Sequence, residues 1–366
     1  MNILLLEPYF TGSHKSWAED LQNFTSNKIN ILSMKGQFWK WRMQGSAITL
    51  AQKFNEMNIQ PDLILATDML DLTTFLSLTR KKTYKTPTVI YFHENQLSYP
   101  WSIKDKDFIN KEHKHYGFIN YSSALTADKV LFNSNYHKDS FLNELKLFLK
   151  RSPDHNELDT IKRIKDKSDV LYIGIDLKRF DPFKTKNEGP PLILWNHRWE
   201  YDKNPEIFFE VLFDLHKEEI DYRLVILGER HNNYPSIFDE AKEKLKSKII
   251  HFGYCNSSKE YAEWLWKSDI LPVTNNQDFF GISIMEAIYC DTYPLLPNRL
   301  TYPELLPLNY HDEHIYTNQS ELLSKLTYAI HNIEDIRNLK FNKIAQAYDW
   351  SKMISTYDKL FLSLIK

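Results

Sequence analysis

The stretch DILPVTNNQDFFGISIMEAIYCDTYPLLP, residues 269–297, contains the pattern that decides the fold. Its flanks, DILPVT and TYPLLP, are short apolar runs typical of buried strands, and ISIMEAIY between them favours a helix. A strand, a glycine turn and a helix that begins at the turn form a place for an anion. Two acids, Asp278 and Glu286, stand on either side of this turn and need a separate explanation.

The same alternation of strand and helix runs along the whole chain. The strand-like runs are NILLLE, INILSM, DLILAT, TPTVIYFH, KVLFNS and DVLYIG in the first half, and PLILWN, YRLVILG, KIIHFG and DILPVT in the second. Such alternation predicts βαβ units and parallel sheets. We therefore predict an α/β fold of two doubly wound domains, with a linker near residues 178–190. The charged stretch 148–169 is expected to be a solvated, irregular insertion.

Length and composition narrow the class of protein. The chain has 366 residues, a formal net charge of −2 and 42% hydrophobic residues, which suits a soluble protein with two cores. No apolar run approaches the roughly 20 residues of a membrane-spanning helix. The start MNILLLEPYF is expected to be a first strand rather than a signal peptide. Two cysteines, Cys255 and Cys290, have no metal-ligand spacing, and we expect a cytoplasmic protein.

Glycine is scarce, and its positions are informative. The chain has nine glycines, against an average of about 7% of residues. Ligands of doubly wound folds bind at the carboxyl ends of strands, where glycine allows close approach. Glycine also favours turns without any ligand, but the concentration favours a ligand cleft between the two domains. The five that follow predicted strands are Gly12, Gly174, Gly228, Gly253 and Gly281.

Two segments of the first half carry candidate ligand-binding residues. In EPYFTGSHKSWAEDL a strand is predicted to end at Glu7, and a loop with Gly12, Ser13 and His14 precedes a helix. The amides of this loop suit a phosphate or a sugar hydroxyl, although Ser13 is also a good helix N-cap. His93 follows the strand of VIYFHENQ, where it would act on a substrate oxygen or be a structural histidine.

The second half adds cations and amide donors. Arg198 and Lys203 precede a helix that is predicted to begin near Pro205. Two cations at a helix start are unfavourable unless an anion joins them, so we predict a pyrophosphate there; a solvated surface pair is the alternative. The amides at the glycine turn are further phosphate donors, contributed by Phe280, Gly281, Ile282 and Ser283.

The two acids that flank the glycine turn, Asp278 and Glu286, have a different predicted role. A carboxylate beside a diphosphate would repel it, so Glu286 and Asp278 are predicted to accept hydrogen bonds from sugar hydroxyls. Two ordinary helix-surface acids are the alternative, which the apolar surroundings disfavour. Amides and cations for a diphosphate, with acids for hydroxyls, predict a nucleotide-sugar site.

These motifs, in this order, resemble the retaining GT-B glycosyltransferases of glycosyltransferase family 4. In that family an acid, seven residues and a glutamate form the donor motif, which here extends from Asp278 to Glu286. RWEYDKN resembles the arginine–lysine diphosphate motif, and YDWSKMISTYDKLF resembles the final helix. Asp291 stands where glycine is common, which suggests a different local turn. The resemblance implies domains at 1–177 and 190–345, and a helix at 346–366 that packs back on the first domain.

Finer features resemble one branch, the tRNA-queuosine α-mannosyltransferases. The segments are EPYFTGSHKSWAEDL, YFHENQLSYP, LWNHRWEYDKNPE and FFGISIMEAIYCDTYPLLPNRLTYPELLP. The resemblance implies transfer of mannose from GDP-mannose to the cyclopentenediol of queuosine in the anticodon of an aspartate tRNA. It implies catalytic roles for His93 and Asp278 beside the sugar, and donor binding by the residues named above. It implies no metal and no cofactor besides the donor.

The acceptor side rests on weaker patterns. Trp39, Trp41 and Arg42 are expected in a loop after the second strand, where they would stack on unpaired bases. The run Arg80–Lys85 would meet tRNA phosphates, although tryptophans are usually packing residues and basic runs usually solvated. Asp105 and Asp107 are expected to be a solvated charge run rather than a metal pair.

Two other functions compete with transfer to tRNA. One is a glycosyltransferase that acts on a lipid or surface glycan, which predicts a basic, apolar membrane-binding face; no clear basic amphipathic helix supports it. The other is a non-catalytic protein that binds tRNA or a sugar nucleotide. It predicts that loss of Glu286 and Lys203 leaves tRNA binding intact.

Overall fold

The computed structural model of the chain describes residues 1–101, 105–110, 114–230 and 233–365. The chain divides into two compact units. The first contains Met1–Ile175 together with Trp350–Lys366, and the second contains Asp176–Asp349.

The first unit is built on a parallel six-stranded sheet with the order β2-β1-β3-β4-β5-β6. Every residue of the two central strands is buried, which is the pattern of a sheet with helices on both faces. The strands are β1 (Asn2–Phe10), β2 (Lys28–Lys35), β3 (Leu63–Thr67), β4 (Thr88–Phe92), β5 (Lys129–Phe132) and β6 (Ser168–Val170). The helices are α1 (Gly12–Phe24), α2 (Trp39–Glu56), α3 (Leu72–Thr83), α4 (Lys106–Ile109), α5 (Lys114–Thr126), α6 (Asn135–Leu149) and α7 (Thr160–Asp166).

The second unit has its own parallel six-stranded sheet, with the order β12-β11-β10-β7-β8-β9. The strands are β7 (Leu192–Trp195), β8 (Arg223–Ile226), β9 (Ile249–Phe252), β10 (Ile270–Pro272), β11 (Tyr293–Pro297) and β12 (Ile315–Tyr316). The helices are α8 (Pro205–Lys217), α9 (Ile237–Lys244), α10 (Ser258–Lys267), α11 (Ile282–Tyr289), α12 (Tyr302–Leu305), α13 (His311–His314), α14 (Gln319–His331), α15 (Ile333–Asn338) and α16 (Asn342–Ala345). Short 3-10 helices span Lys178–Phe183, Tyr201–Lys203, Leu308–Tyr310 and Gln346–Tyr348. The prediction of two parallel-sheet, Rossmann-like α/β domains is confirmed.

The last helix, α17 (Trp350–Leu364), belongs to the first unit and packs on α1. The Trp350 ring lies so close to Gly174 that a Cβ added there would come within 2.3 Å of it, so only glycine fits. Farther along α17, the Tyr357 hydroxyl accepts a hydrogen bond from Trp17 Nε1 (3.3 Å) and donates one to the Tyr172 carbonyl (2.9 Å).

The stretch 148–169 is irregular and mostly exposed only over residues 150–159. It contains the end of α6, the whole of α7 and the start of β6. Ile164 is fully buried in the core, and Leu158 and Ile161 pack against that core at helical spacing. In the sequence, the many charged residues of this stretch made its short apolar face, formed by Leu158, Ile161 and Ile164, difficult to recognise.

The expected linker at 178–190 also has structure at its beginning. Lys178–Phe183 forms a 3-10 helix that packs within the second unit. Phe180 is buried there, and its carbonyl accepts a hydrogen bond from Trp266 Nε1 at 2.8 Å. The expected different turn at Asp291 is not found, because Asp291 adopts the left-handed conformation that glycine favours (φ 64°). Its carboxylate compensates by accepting hydrogen bonds from the amides of Phe341 and Asn342.

Candidate functional site

At the carboxyl edge of the first sheet, four buried polar side chains lie together. Glu7 in β1 is fully buried; one of its carboxylate oxygens accepts from the Tyr9 amide (2.9 Å), and the other lies 3.2 Å from His14 Nδ1. Asp68 follows β3 and accepts a hydrogen bond from the His93 amide at 2.9 Å. The rings of His14 and His93 are 4.4 Å apart between centroids. The sequence placed Gly12, Ser13 and His14 in a loop; they form the first turn of α1 instead, with His14 turned inward.

Burial and charge give the members of this cluster different protonation states. Burial opposes the charged form of His14, but Glu7 outweighs it and raises the pKa of His14 to about 9. Burial raises the pKa of Asp68 to about 8 and lowers the pKa of His93 well below its usual value. His14 is therefore an imidazolium at neutral pH, and His93 is neutral. His93 Nε2 is buried and has no hydrogen-bond partner among the residues that the structure describes.

In the second unit, α11 begins at the glycine turn of the opening stretch. Gly281 is its N-cap, in the left-handed conformation with φ 93°. Intrahelical bonds begin with the amides of Ile284 and Met285, so the amides of Ile282 and Ser283 precede them, as an anion site requires. The Phe280 side chain is buried against Tyr348, so only its backbone is suited to a ligand.

Asp278 is anchored by three donors of the same unit. Its Oδ1 accepts from Lys203 Nζ (3.0 Å), and its Oδ2 accepts from Asn275 Nδ2 (2.7 Å) and the Tyr302 hydroxyl (2.6 Å). Burial would raise the pKa of Asp278, but the Lys203 charge outweighs it and the pKa is lowered. A carboxylate has about four acceptor positions, so one remains for a further hydroxyl. These anchors explain an aspartate here, since a longer side chain would press on Tyr302 and Asn275.

Lys203 has counter-ions within the chain. Its Nζ lies 3.0 Å from Asp202, as well as 3.0 Å from Asp278, and donates to the Gln277 carbonyl at 2.7 Å. Burial opposes its charge, but Asp278 and Asp202 outweigh burial and raise the pKa of Lys203. Arg198 differs, because its side chain is 51% exposed and lies 3.3 Å from Glu200. The anion that the sequence seemed to require for Lys203 is thus supplied by two carboxylates.

Glu286 is buried in α11, and its carboxylate accepts hydrogen bonds from two side chains. Arg179 Nη2 lies 2.5 Å from one carboxylate oxygen, and the Tyr261 hydroxyl lies 2.7 Å from the other. Burial raises the pKa of Glu286, and the Arg179 charge opposes this. The guanidinium of Arg179 is also 4.9 Å from the centre of the Phe180 ring. The orientation of the Glu286 carboxylate is therefore fixed by these two donors.

The predicted acceptor residues lie in α2, not in a loop. Trp39 is half-buried and packs against Trp101 and Tyr116 (5.7 and 5.2 Å between centroids). Trp41 is 61% exposed, and Arg42 Nε donates to the Lys35 carbonyl at 3.1 Å. Only Trp41 of the three presents most of its side chain to solvent.

Among the residues that the structure describes, two groups of side chains have the proximity of metal ligands, namely Glu7 with His14 and His93, and His251 with Cys255 and Glu260. The ligand atoms of each group lie within 4.8 Å of one another. In the first group, the Glu7–His14 pair is already joined by a hydrogen bond. The acids expected to be a solvated charge run, Asp105 and Asp107, instead form ion pairs with Lys40 at 2.6 and 2.9 Å.

Several residues of these clusters escaped the sequence analysis. Asp68 directly follows the strand-like run DLILAT, so its position at a strand end was a usable signal. Glu7, where the first strand was predicted to end, carried the same signal. The others reach the predicted residues through the fold, and no local signal marks them as partners; they are Arg179, Tyr261, Asn275 and Tyr302. Within the described ranges, no helix is long and apolar enough to cross a membrane.

Solved structures share this architecture. A sucrose-phosphate synthase from Thermosynechococcus elongatus matches with a TM-score of 0.71 at 12% identity, over 100% of this chain and 99% of that one. The Anabaena protein HepE in complex with UDP matches with a TM-score of 0.68 at 14% identity, over 100% of both chains. A glycosyltransferase from Rickettsia africae matches with a TM-score of 0.67 at 16% identity, over 100% and 98%. The fold is that of the GT-B glycosyltransferases.

Sequence comparison agrees with that class and narrows it. Residues 178–346 match the family of group 1 glycosyl transferases, so the chain is a hexosyltransferase. Residues 2–175 match the N-terminal domain of tRNA-queuosine α-mannosyltransferases. A tRNA-queuosine α-mannosyltransferase from Drosophila melanogaster is 34% identical over 336 residues, which are 89% of this chain and 86% of that protein. The chain therefore belongs to the tRNA-queuosine α-mannosyltransferase family.

Proposed function

We propose that this protein transfers mannose from GDP-mannose to the cyclopentenediol of queuosine in the anticodon of an aspartate tRNA, in the cytoplasm. The observation that carries the proposal is the 34% identity to the Drosophila mannosyltransferase over most of both chains. The site chemistry supports it, because the second unit combines helix-start amides with two oriented carboxylates, the buried Glu286 and the partly buried Asp278.

For the donor, we assign the diphosphate to the amides of Gly281, Ile282 and Ser283, with Arg198 as the exposed cation. These donors would stabilise the leaving group as charge develops on it. Lys203 would bind the phosphate only if it gave up its ion pair with Asp202 or Asp278. We therefore assign Lys203 the role of holding the Asp278 carboxylate in place. Phe280 would contribute its backbone amide to the diphosphate site.

For the sugars, we assign the ribose hydroxyls to Glu286 and the transferred mannose to Asp278 and His93. The neutral His93 has a buried Nε2 that suits a hydroxyl of the transferred sugar. Gly12, Ser13 and the charged His14 are assigned to the phosphate side. The acceptor hydroxyl would attack the anomeric carbon of mannose, the bond from that carbon to the GDP phosphate oxygen would break, and a donor phosphate oxygen would take up the hydroxyl proton. This proposal therefore includes no protein nucleophile, metal or further cofactor.

The experiment is an incubation of the protein with GDP-mannose and aspartate tRNA that carries queuosine. The expected product is a tRNA that gains the mass of one hexose and migrates more slowly on an acid–urea gel. The matched controls are the same tRNA without queuosine, and GDP-glucose or UDP-glucose as donor. Absence of transfer from every nucleotide sugar tested would refute the proposal.

His93→Asn gives a matched test of the assigned sugar contact. We expect slower transfer with unchanged binding of GDP, because GDP has no mannose for the side chain to contact. Equal loss of GDP binding and of transfer would contradict the assignment of His93 to the sugar.

A further inference from the structure

The N-terminal half of α2 has an exposed apolar face, formed by Phe38, Trp41, Gly45 and Ile48. The spacing of three and four residues places Trp41, Gly45 and Ile48 in one row along the helix, and Phe38 is the N-cap directly before it. The exposed fractions of Phe38, Trp41 and Ile48 are 76%, 61% and 50%. The opposite side of α2 is already buried in the core through Met43, Ala47, Leu50, Ala51 and Phe54. The exposed α2 face is therefore not needed to hold the helix in place.

Trp41 is oriented by the glycine one turn later. A Cβ added to Gly45 would lie 3.0 Å from Cζ2 and 3.1 Å from Cε2 of the Trp41 ring. The indole therefore lies close against the helix backbone, and most of its surface faces solvent. Glycine in a helix interior is less favourable than alanine by about 1 kcal/mol. The helix thus tolerates an unfavourable residue at the position that supports the ring.

Phe38 also departs from local preference. It is the N-cap of α2, a position that favours serine, threonine, aspartate or asparagine, and it makes no side-chain capping bond. Its backbone is left-handed, with φ 53° and ψ 57°, which is uncommon for a bulky residue. The outcome is a mostly exposed aromatic ring directly before the first turn of α2.

The charge around this face is positive. From Lys35 to Asn55 the sequence has no aspartate or glutamate, and it has four cations, Lys35, Lys40, Arg42 and Lys53. No acid stands in the first turn of α2, so no side chain of the helix itself offsets the positive end of its dipole. Lys40 is neutralised by Asp105 and Asp107. Of the other cations, Lys35 precedes Phe38 by three residues, and Arg42 directly follows Trp41. Cations can bind the phosphates of a single-stranded nucleic acid, and exposed aromatic rings can stack on its bases, so this face suits such a partner.

We propose that the exposed α2 face is the surface on which unpaired nucleotides of the tRNA anticodon loop stack, with Trp41 as the principal platform and Phe38 beside it. This inference rests on the proposed function and specifies where the acceptor binds. It replaces Trp39 of the sequence prediction, whose ring is packed against Trp101 and Tyr116, with Phe38 and Ile48. Base stacking on an aromatic side chain supports affinity without sequence selectivity, so queuosine recognition would reside elsewhere.

The test measures binding of an anticodon stem-loop RNA of aspartate tRNA, by fluorescence anisotropy, to the full chain. Trp41→Ala is expected to weaken binding about tenfold, because one stacked base contributes about that much. Trp41→Phe should recover part of the loss. Tyr328→Ala is the matched control, since Tyr328 is 62% exposed on α14 of the second unit, and it should bind as the wild type does.

Two further variants separate RNA binding from folding. Phe38→Gly relieves the left-handed strain, and Gly45→Ala favours the helix but displaces the Trp41 ring. Both are expected to keep or raise the melting temperature while RNA affinity falls several-fold. A variant that melts at the same or a higher temperature and yet binds RNA more weakly has not lost affinity through unfolding.

Wild-type RNA affinity in both Trp41→Ala and Phe38→Gly would overturn the inference. So would a loss of self-association or vesicle binding without a loss of RNA binding, since either result assigns the face to another partner. The proposed function is judged separately by transfer in the wild type. Transfer with an unchanged KM for tRNA in these variants refutes the surface alone, whereas RNA binding without any sugar transfer refutes the function alone.

Discussion

The acids of the two units are stabilised in opposite ways. In the second unit, Asp278 and Glu286 each lie beside a cation of the chain, Lys203 and Arg179, whose charge opposes the effect of burial on the pKa of the acid. In the first unit, bound protons balance the acids instead. The pKa of His14 is raised to about 9, so its imidazole is charged beside Glu7, and the pKa of Asp68 is raised to about 8. The second cluster is thus balanced by fixed cations and the first by titratable ones. Mutations should therefore act on stability at all pH values in the second unit, and in a pH-dependent way in the first.

The largest expected effect is that of Lys203→Met. It leaves Asp202 and Asp278 buried without their cation, and loss of one partner of a buried pair costs about 3 to 5 kcal/mol in the free energy of unfolding. Urea denaturation at pH 7 measures it. Arg198→Met is the matched control, and its half-exposed side chain predicts a change below about 1 kcal/mol. Similar losses in both variants would contradict the internal ion pairing of Lys203.

Glu7→Gln should change the pH dependence of stability in the first unit. The folded pKa of His14 is raised to about 9, above its unfolded value, so its contribution is full below about pH 6.5 and disappears as pH rises through 9. Asp68, protonated in the folded state up to about pH 8, also lowers stability as pH rises. The wild type should lose stability between about pH 6.5 and 9, by at most about 3 kcal/mol from His14.

Melting curves from pH 6 to 9.5 check this prediction for Glu7→Gln. The variant should be less stable than the wild type at about pH 6.5 and approach it near the upper end, because it lacks the partner that keeps His14 charged. Arg198→Met serves as the control with an unaltered pH profile. Parallel curves for the wild type and Glu7→Gln would show that Glu7 does not hold the proton on His14.

Glu286→Gln should affect donor binding more than folding. Its partner Arg179 is 43% exposed and can turn to water, so the free energy of unfolding should change little. A hydrogen bond to a charged acceptor contributes about 2 kcal/mol, so affinity for GDP-mannose should fall about 30-fold by calorimetry. Tyr261→Phe, which keeps the charge, should lose only a few-fold. Unchanged affinity in Glu286→Gln would make Glu286 solely an anchor for Arg179 and Tyr261.

Tyr302→Phe is the mildest change. It removes one of the two donors to Asp278 Oδ2, at a cost of about 1 kcal/mol in the free energy of unfolding. Tyr289→Phe, which removes a 2.9 Å bond to Asp181 in the same unit, should lose a similar amount. Only Tyr302→Phe should also raise the KM for the donor. An equal KM for the donor in the two variants would show that Asp278 does not bind the donor.

Strand periodicity and the spacing of the two acids were enough to predict the fold and to select Asp278 and Glu286. Both signals are local, because they depend on neighbouring residues of one βαβ unit. The partners of those acids could not be found this way: Arg179 and Glu286 are 107 residues apart, and their contact depends on tertiary packing. The start of α2 was missed for a different reason, since Phe38 supplies none of the usual N-cap chemistry. Whether the predicted site residues bind the donor stays a prediction.

The return of α17 to the first unit has a consequence for synthesis. The first unit needs Trp350 to fill the space over Gly174 and Tyr357 to pair with Trp17, and these residues leave the ribosome only after all of 176–349. The second unit, which is continuous in sequence, can complete its fold first. A nascent chain therefore carries an unfinished first unit, with the apolar groove beside α1 uncovered, until α17 has been synthesised. Chains that stop short of residue 350 should consequently be recognised as unfolded by the quality-control machinery, although their second unit is intact.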